Sequence, residues 1–279
     1  MTTRLLLDIE PEQWKKHLFG LSEKRWGNLQ GKSFWITGAG TGYGRCLAIA
    51  LVAAGAQVFL TGRRKQKLQE TIDEMARLNI SVDGCCLVPA DITDFNQIKA
   101  ACQIVTEKCN SLYGLINNAA IPARGDIANP LFEGSIEDWD KMMNTNVRAH
   151  WLITRTIFSH MIKARSLRVL FMSSEAGWAF TPGFGPYNIS KAALNNLASS
   201  MAAEYANMWP DKDIQMNVLV AGEARTEMNQ GAKESPYSIV PMALRLLAHP
   251  AGGPNGCFFH GDGRYFSFCK AAPYENSIL

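Results

Sequence analysis

The octet Thr37-Gly38-Ala39-Gly40-Thr41-Gly42-Tyr43-Gly44 constrains this chain more than any other segment. It follows a short apolar, β-prone run, Ser33–Thr37, and leads into a helix-forming stretch, Arg45–Ala54. Glycine permits backbone angles and close approaches that a Cβ would block. A strand that turns through such a loop into a helix leaves free helix N–H groups at the turn, and these attract an anion such as a pyrophosphate. The spacing is GxxxGxG. A glycine-rich turn alone can do no more than allow tight strand–helix packing. Its place on the first strand of an alternating pattern gives it weight.

That pattern runs on through the chain. Strand-like runs at Gln57–Thr61, Gly84–Val88, Tyr113–Asn117, Arg168–Met172, Ile214–Val220 and Cys257–His260 alternate with helix-like ones. The helices are expected at Lys65–Asn79, Asp94–Lys108, Ile136–Ala164 (one long helix or two), Tyr187–Asn207 and Val240–Ala248. Short strands apolar on both faces, separated by helices, predict an α/β fold: a Rossmann-type doubly wound parallel sheet with helices on both faces, as a single domain. Residues 31–263 form that domain. Residues 1–30 read as an N-terminal extension, with Pro11 opening a short helix over Glu12–Phe19, and 264–279 as a C-terminal tail.

Composition removes several classes of function. The 279 residues carry 28 Lys+Arg against 25 Asp+Glu, a net +3, too even for an electrostatic nucleic-acid binder. The longest apolar stretch, Leu47–Leu60, is interrupted by Gly55 and Gln57 and is too short to span a bilayer. No secretory signal precedes the domain, so a cytoplasmic location is expected. The seven cysteines (Cys46, Cys85, Cys86, Cys102, Cys109, Cys257, Cys269) form no CxxC and read as free thiols. The five histidines, at 17, 150, 160, 249 and 260, lack metal-ligand spacing, and no metal is expected.

The second strand ends Thr61-Gly62-Arg63-Arg64. Dinucleotide folds commonly place an acid here to bind the ribose 2′-hydroxyl. In this chain Gly62 leaves room and Arg63 and Arg64 bring positive charge, which suits a 2′-phosphate. NADP(H) is the expected cofactor, with NAD(H) as the alternative.

Tyr187 and Lys191 stand four apart and share a helix face, thirteen residues after a strand that ends Phe171-Met172-Ser173-Ser174. Taken with these motifs, the chain resembles the short-chain dehydrogenase/reductase family, in the branch with TGxxxGxG and YxxxK, from about Gly31 to Gly263. The resemblance implies hydride transfer between a nicotinamide and a carbonyl or alcohol substrate, with Tyr187 as acid/base. It makes Asn146, Ser174, Tyr187 and Lys191 the catalytic set. Ser174 would hold the substrate oxygen, Lys191 the nicotinamide ribose, and Asn146 a water linking Lys191 to solvent. Cofactor contacts are implied for Gly38, Gly40, Thr41, Gly42, Tyr43, Gly44, Arg63, Arg64, Asp91, Ile92, Asn118, Ala119, Tyr187, Lys191, Gly222, Ala224 and Thr226. Asp262-Gly263 resembles the family's late DG turn.

Three positions depart from the family pattern. Ala120 stands for the glycine of NNAG, Ala221 for the proline of PG, and Thr41 where many NADP-dependent relatives are basic. The resemblance also implies a homodimer or homotetramer through the helix that begins at Tyr187 and the one before it. Leu194, Leu197, Ala198 and Met201 on that helix read first as a core face. The substrate walls are expected at Ala120–Asn129, Glu175–Pro186 and Glu223–Tyr237. There Arg124, Glu175, Glu223 and Arg225 mix with Trp178, Phe180 and Phe184, which suits a polar, sugar-like or anionic carbonyl compound. Two rival readings are a non-catalytic dinucleotide-binding regulator or scaffold, and an epimerase or dehydratase of the family's longer branch. The four catalytic-type residues argue against the first, and glycine spacing and length against the second.

Overall fold

A computed structural model of the chain describes residues 18–122, 131, 133–178 and 182–267. Eight strands form one sheet: β1 (Ser33–Thr37), β2 (Gln57–Thr61), β3 (Cys85–Leu87), β4 (Gly114–Asn117), β5 (Ser166–Ser174), β6 (Asp213–Ala221), β7 (Cys257–His260) and β8 (Tyr265–Ser267). Their order is β3-β2-β1-β4-β5-β6-β7-β8. The first seven are parallel, and β8 lies antiparallel on β7. The order reverses between β1 and β4, which opens a crevice above the carboxyl ends of the strands.

Alternation of side chains along each strand feeds two cores. Phe34, Ile36, Val58, Leu60 and Leu170 pack on one face with α1 (Gly42–Ala53), α2 (Lys65–Arg77) and α7 (Val240–Leu247). Trp35, Phe59, Val169 and Phe171 pack on the other with α3 (Phe95–Lys108), α5 (Ala149–Met161) and α6 (Pro186–Met208). Each such fully buried side chain stabilises the fold by roughly 1.5–3 kcal/mol, so the sheet holds the fold and the loops at its carboxyl edge are left to function. On α6 the expected stripe is a core face: Leu194, Ala198 and Met201 are buried and Leu197 packs against them.

The structure differs from the expectation in three places. The stretch after Ile136 is α4 (Ile136–Met143), a π-helical turn (Asn144–Arg148) and α5, one continuous helix with an inserted residue. The tail does not leave the domain at residue 264. Gly263, at φ +94, makes a tight turn in which the His260 N–H donates to the Arg264 carbonyl, and β8 follows. The end of the N-terminal extension docks on its own core. Phe19 is buried and stacks on Tyr237 at 6.2 Å, and Leu29 is fully buried. Residues 12–17 of the expected first helix, Arg124, Phe180 and Cys269 lie outside the described residues; the other six cysteines form no disulfide among the described residues.

Candidate active site

The site is built on the ends of β1, β4, β5 and β6. β1 ends at Thr37, whose hydroxyl accepts the N–H groups of Asn118 (3.0 Å) and Ala119 (3.1 Å) at the end of β4. Asn118 Nδ2 donates back to the carbonyls of Thr37 (2.9 Å) and Gly38 (3.2 Å). The glycine turn is therefore clamped from the side. Gly38 has φ +68, and a Cβ there would meet Asn118 Nδ2 at 2.8 Å. A Cβ on Gly44 would run into the Gly38 carbonyl oxygen. Gly42 has φ +53 and lies against Thr226. These glycines bring a bare backbone and the N-terminus of α1 to the floor of the crevice.

An elongated cavity of about 500 Å³ runs from Arg63 and Asp91 at one end, past the glycine turn, to Tyr187 and Lys191 at the other. Its volume lies within the roughly 300–1,000 Å³ of ligand sites, and its course over several strand ends suits an extended ligand. At the first end Gly62 leaves space beside β2. Arg63 is exposed and makes no ion pair among the described residues. Arg64 instead meets Glu227 at 2.6 Å, and Lys67 approaches the same carboxylate at 3.8 Å. The Asp91 carboxylate accepts from the N–H (2.9 Å) and hydroxyl (2.7 Å) of Thr93, which fixes the turn after β3.

At the other end Tyr187 and Lys191 rise from the first turns of α6. Pro186 is suited to the first helical position, and Gly185, at φ 52, redirects the chain into it. Ser174 ends β5 and hydrogen-bonds Tyr187, which favours the phenolate, while burial pushes the phenol's pKa up more strongly. Lys191 is 3% exposed and donates from Nζ to the Met172 carbonyl at 3.0 Å. Desolvation lowers its pKa from 10.5 to about 8. Its nitrogen lies 5.6 Å from the Tyr187 ring centre. Tyr43 crosses from α1, and its hydroxyl donates to the Gly222 carbonyl at 2.6 Å.

Most of the residues singled out in the sequence line this one cavity. Asn146, Gly44 and Ala224 do not. Gly44 serves strand–helix packing, and Ala224 is buried beside the loop. Asn146 sits in the π-helical turn, fully buried, behind the cavity wall. Its Oδ1 accepts the Ile121 N–H (2.9 Å), and its Nδ2 faces the Ile121 carbonyl (3.1 Å) and Ser190 Oγ (3.2 Å). The side chain is thus committed to protein partners. Among the wall charges, Glu175 meets His260 at 3.0 Å. Sequence reasoning missed Thr37, Lys67 and Glu227. Lys67, three residues after Arg64 at a helix start, was within reach of spacing arguments; Glu227 was not. No cluster able to hold a metal occurs among the described residues, nor any helix long and apolar enough to cross a membrane.

A glycine-floored crevice at the switch point of a doubly wound sheet, ending in a half-buried tyrosine beside a buried lysine, is the site of a dinucleotide-dependent oxidoreductase. The profile of the family described as short chain dehydrogenase matches residues 32–236. Oxidoreductase UcpA of Salmonella typhimurium is 31% identical over 239 residues, 80% of this chain and 85% of that protein. Gluconate 5-dehydrogenase of Gluconobacter oxydans is 31% identical over 205 residues, covering 73% and 75% of the two chains. A structure of a Beutenbergia cavernae candidate NAD(P)-dependent gluconate 5-dehydrogenase, with NADP bound at low occupancy, superposes with a TM-score of 0.74 at 25% identity over 85% of this chain and 97% of that one. This chain belongs to the short-chain dehydrogenase/reductase family and is an NAD(P)-binding oxidoreductase of that family, acting between CH–OH and C=O groups.

Proposed function

We propose that the protein is an NADP(H)-preferring carbonyl reductase or alcohol dehydrogenase in which Tyr187 moves the proton. The observation that carries this reading is the placement of the Tyr187 hydroxyl, bonded to Ser174 and one helical turn from the Lys191 ammonium, on the cavity that begins at the glycine turn. The cradle fits a dinucleotide. Backbone N–H groups at the start of α1 face the cavity, and a Cβ at Gly38 or Gly40 would strike neighbouring chain at 2.8–2.9 Å. Arg63 would take the 2′-phosphate, Asp91 and Ile92 the adenine, and Lys191 the nicotinamide ribose. When bound, a nicotinamide dinucleotide supplies or accepts the hydride.

The protein's own task is one proton and one developing charge. A phenol near pKa 10 exchanges protons poorly at neutral pH, and burial of Tyr187 makes this worse. Lys191 opposes burial, because a cation one turn away in a site shielded from water favours the phenolate. Making the phenol ten times more acidic takes about 1.4 kcal/mol of such differential stabilisation. Ser174 holds the substrate oxygen while charge builds on it. Asn146 braces the wall behind Lys191 and offers its main-chain carbonyl to a water that refills the proton. The substrate class we infer is a polar, hydroxylated carbonyl compound, supported by the mixed charges and aromatic rings of the loops after β5 and β6 and by the likeness to a gluconate 5-dehydrogenase. A cytoplasmic location and a homo-oligomeric state belong to the same proposal.

Quenching of the seven tryptophans tests the cofactor half: NADPH is expected to bind more tightly than NADH, and the reverse order removes the role of Arg63. Turnover over a panel of hydroxylated ketones and aldehydes tests the chemistry. Tyr187→Phe is expected to lose at least about a hundredfold in kcat, the usual contribution of a positioned acid/base. Unchanged turnover in that variant rejects the proton-transfer role.

A further inference from the structure

Tyr43 joins the two ends of the site. Its main chain stands in the first turn of α1, beside the bare backbone of the glycine turn. Its hydroxyl reaches the Gly222 carbonyl at 2.6 Å. Gly222 follows Ala221, and Ala221 is the register partner of Ser174 on the neighbouring strand. Neighbouring strands lie about 4.8 Å apart. One side chain therefore spans the interval between the helix N-terminus suited to a pyrophosphate and the strand end that carries Ser174. The ring is held along its length, because it packs on the core beside α1 while the hydroxyl bond fixes its tip. Burial above all, with Tyr187, Glu234, Cys46 and Glu223 adding to it, pushes the phenol's pKa up, so the hydroxyl stays protonated and keeps donating wherever the protein works. Among the described residues two rings line the cavity, Tyr43 and Tyr187. Tyr187 is taken up by Ser174 and Lys191, which leaves Tyr43 with a ring and no chemical task.

We propose that Tyr43 is a specificity-determining residue for the redox state of the cofactor, its ring packing on the nicotinamide and favouring the oxidised, positively charged form. The proposal rests on the reading of this cavity as the seat of a nicotinamide dinucleotide whose reacting ring lies at the Tyr187 end. A nicotinamide nucleoside has to cross the interval from pyrophosphate to Ser174, and that is the interval Tyr43 spans. The oxidised pyridine ring carries one positive charge and the reduced ring none. At this end the oxidised ring meets the Lys191 ammonium, which repels it. No carboxylate among the described lining residues answers that repulsion, because Asp91 is fixed by Thr93 and Glu227 is paired with Arg64, both toward the Arg63 end. An aromatic face is negative at its centre and attracts a cation within about 6 Å of it. A phenol that donates a hydrogen bond is polarised so that its ring becomes richer in electrons. An aliphatic side chain would offer both redox forms the same apolar wall, whereas a ring tells them apart. Stabilising the oxidised form makes the bound reduced form a stronger hydride donor, which favours the carbonyl-reducing direction.

The test measures dissociation constants of the full chain for NADP+ and for NADPH by titration calorimetry, without substrate. Wild type, Tyr43→Leu and Tyr43→Phe are compared, each checked for cooperative thermal unfolding. In Tyr43→Leu, NADP+ is expected to bind roughly three- to tenfold more weakly, with NADPH within about twofold of wild type. Tyr43→Phe keeps the ring, so the ratio of the two constants is expected to stay within about twofold of wild type even where both shift together. Equal weakening of both dinucleotides in Tyr43→Leu overturns the proposal and makes Tyr43 a wall only. Tightening of both overturns it as well and makes the ring an obstruction. A ratio lost as fully in Tyr43→Phe overturns it by moving the effect to the hydroxyl. If NADH proves the tighter ligand, the same ratio is read with NAD+ and NADH. A selective loss of the oxidised form in a protein whose turnover ignores Tyr187→Phe would sink the proton-transfer reading and leave Tyr43 standing, whereas equal losses leave that reading untouched.

Discussion

The Tyr43 hydroxyl donates to the Gly222 carbonyl at 2.6 Å, and this bond latches the glycine turn to the loop after β6 across the mouth of the cavity. The loop needs a latch, because Ala221 stands where the family carries proline, and alanine leaves the unfolded loop more freedom. Tyr43→Phe keeps the ring and removes the bond. A net loss of about 0.5–1.5 kcal/mol is expected, with a melting temperature lower by roughly 1–5 °C and faster proteolysis in the loop after β6. Calorimetry and limited trypsin digestion check this. Identical melting and cleavage patterns would show that the latch holds nothing.

The two arginines at the end of β2 are predicted to differ in function. Arg63 is exposed with no ion pair among the described residues, whereas Arg64 is engaged by Glu227 at 2.6 Å. Arg63→Ala is expected to weaken NADPH binding by roughly 10–100-fold, as for the loss of a hydrogen bond to a charged group, and to leave NADH within about twofold. Arg64→Ala is expected to cost less than about threefold, because its exposed ion pair competes for the side chain. Glu227→Gln releases Arg64 and removes a negative charge from this end of the cavity, while Lys67 stays on Glu70 at 2.8 Å, and is expected to tighten NADPH binding by a few-fold. Fluorescence titration with both cofactors decides the matter. A parallel change in NADH would place these effects in folding of the loop.

The contrast between Arg64 and Arg63 shows how far the sequence could be read. The strands β1, β2 and β7 fall where apolar runs place them, because a strand buried on both faces has no choice of residue type. The cavity end at Tyr187 and Lys191 was legible because both come from one helix, where spacing fixes geometry. Glu227 joins Arg64 from 163 residues away, and no local pattern announces that. The π-helical turn depends on Asn146 reaching the Ile121 backbone across the fold, so it is a tertiary event within a sequence that reads as plain helix. The same is true of His150, whose polarity gave no hint that it would be fully buried.

Burial of Lys191 makes function costly for stability. Its pKa of about 8 lies below the 10.5 of a free lysine. Between those values the unfolded chain binds more protons than the folded one, so stability rises with pH across that window. Below about pH 8 the full penalty is present, on the order of 3 kcal/mol. Lys191→Met removes the charge and keeps the stem. The variant is expected to melt higher than wild type at pH 7, with the gap closing toward pH 10, while turnover is lost. A variant that melts lower at pH 7 would mean that the bond to the Met172 carbonyl outweighs desolvation.

Asn146 is predicted to act on the fold as much as on the proton. Its side chain faces both polar groups of the Ile121 backbone, which lines the cavity, and Ser190 Oγ behind it. Alanine in its place leaves the half-buried N–H and C=O of Ile121 without their partner, at up to roughly 1 kcal/mol each. The inserted residue of the π-helical turn would then have no side chain to hold it, and the helix is expected to relax toward regular α geometry. Asn146→Ala should therefore lose activity and lower the melting temperature by several degrees or more, whereas Asn146→Asp, which keeps the acceptor for the Ile121 N–H but not the donor, should fall between. A full loss of activity at an unchanged melting temperature would assign Asn146 to the proton path alone and remove its role as the brace of this wall.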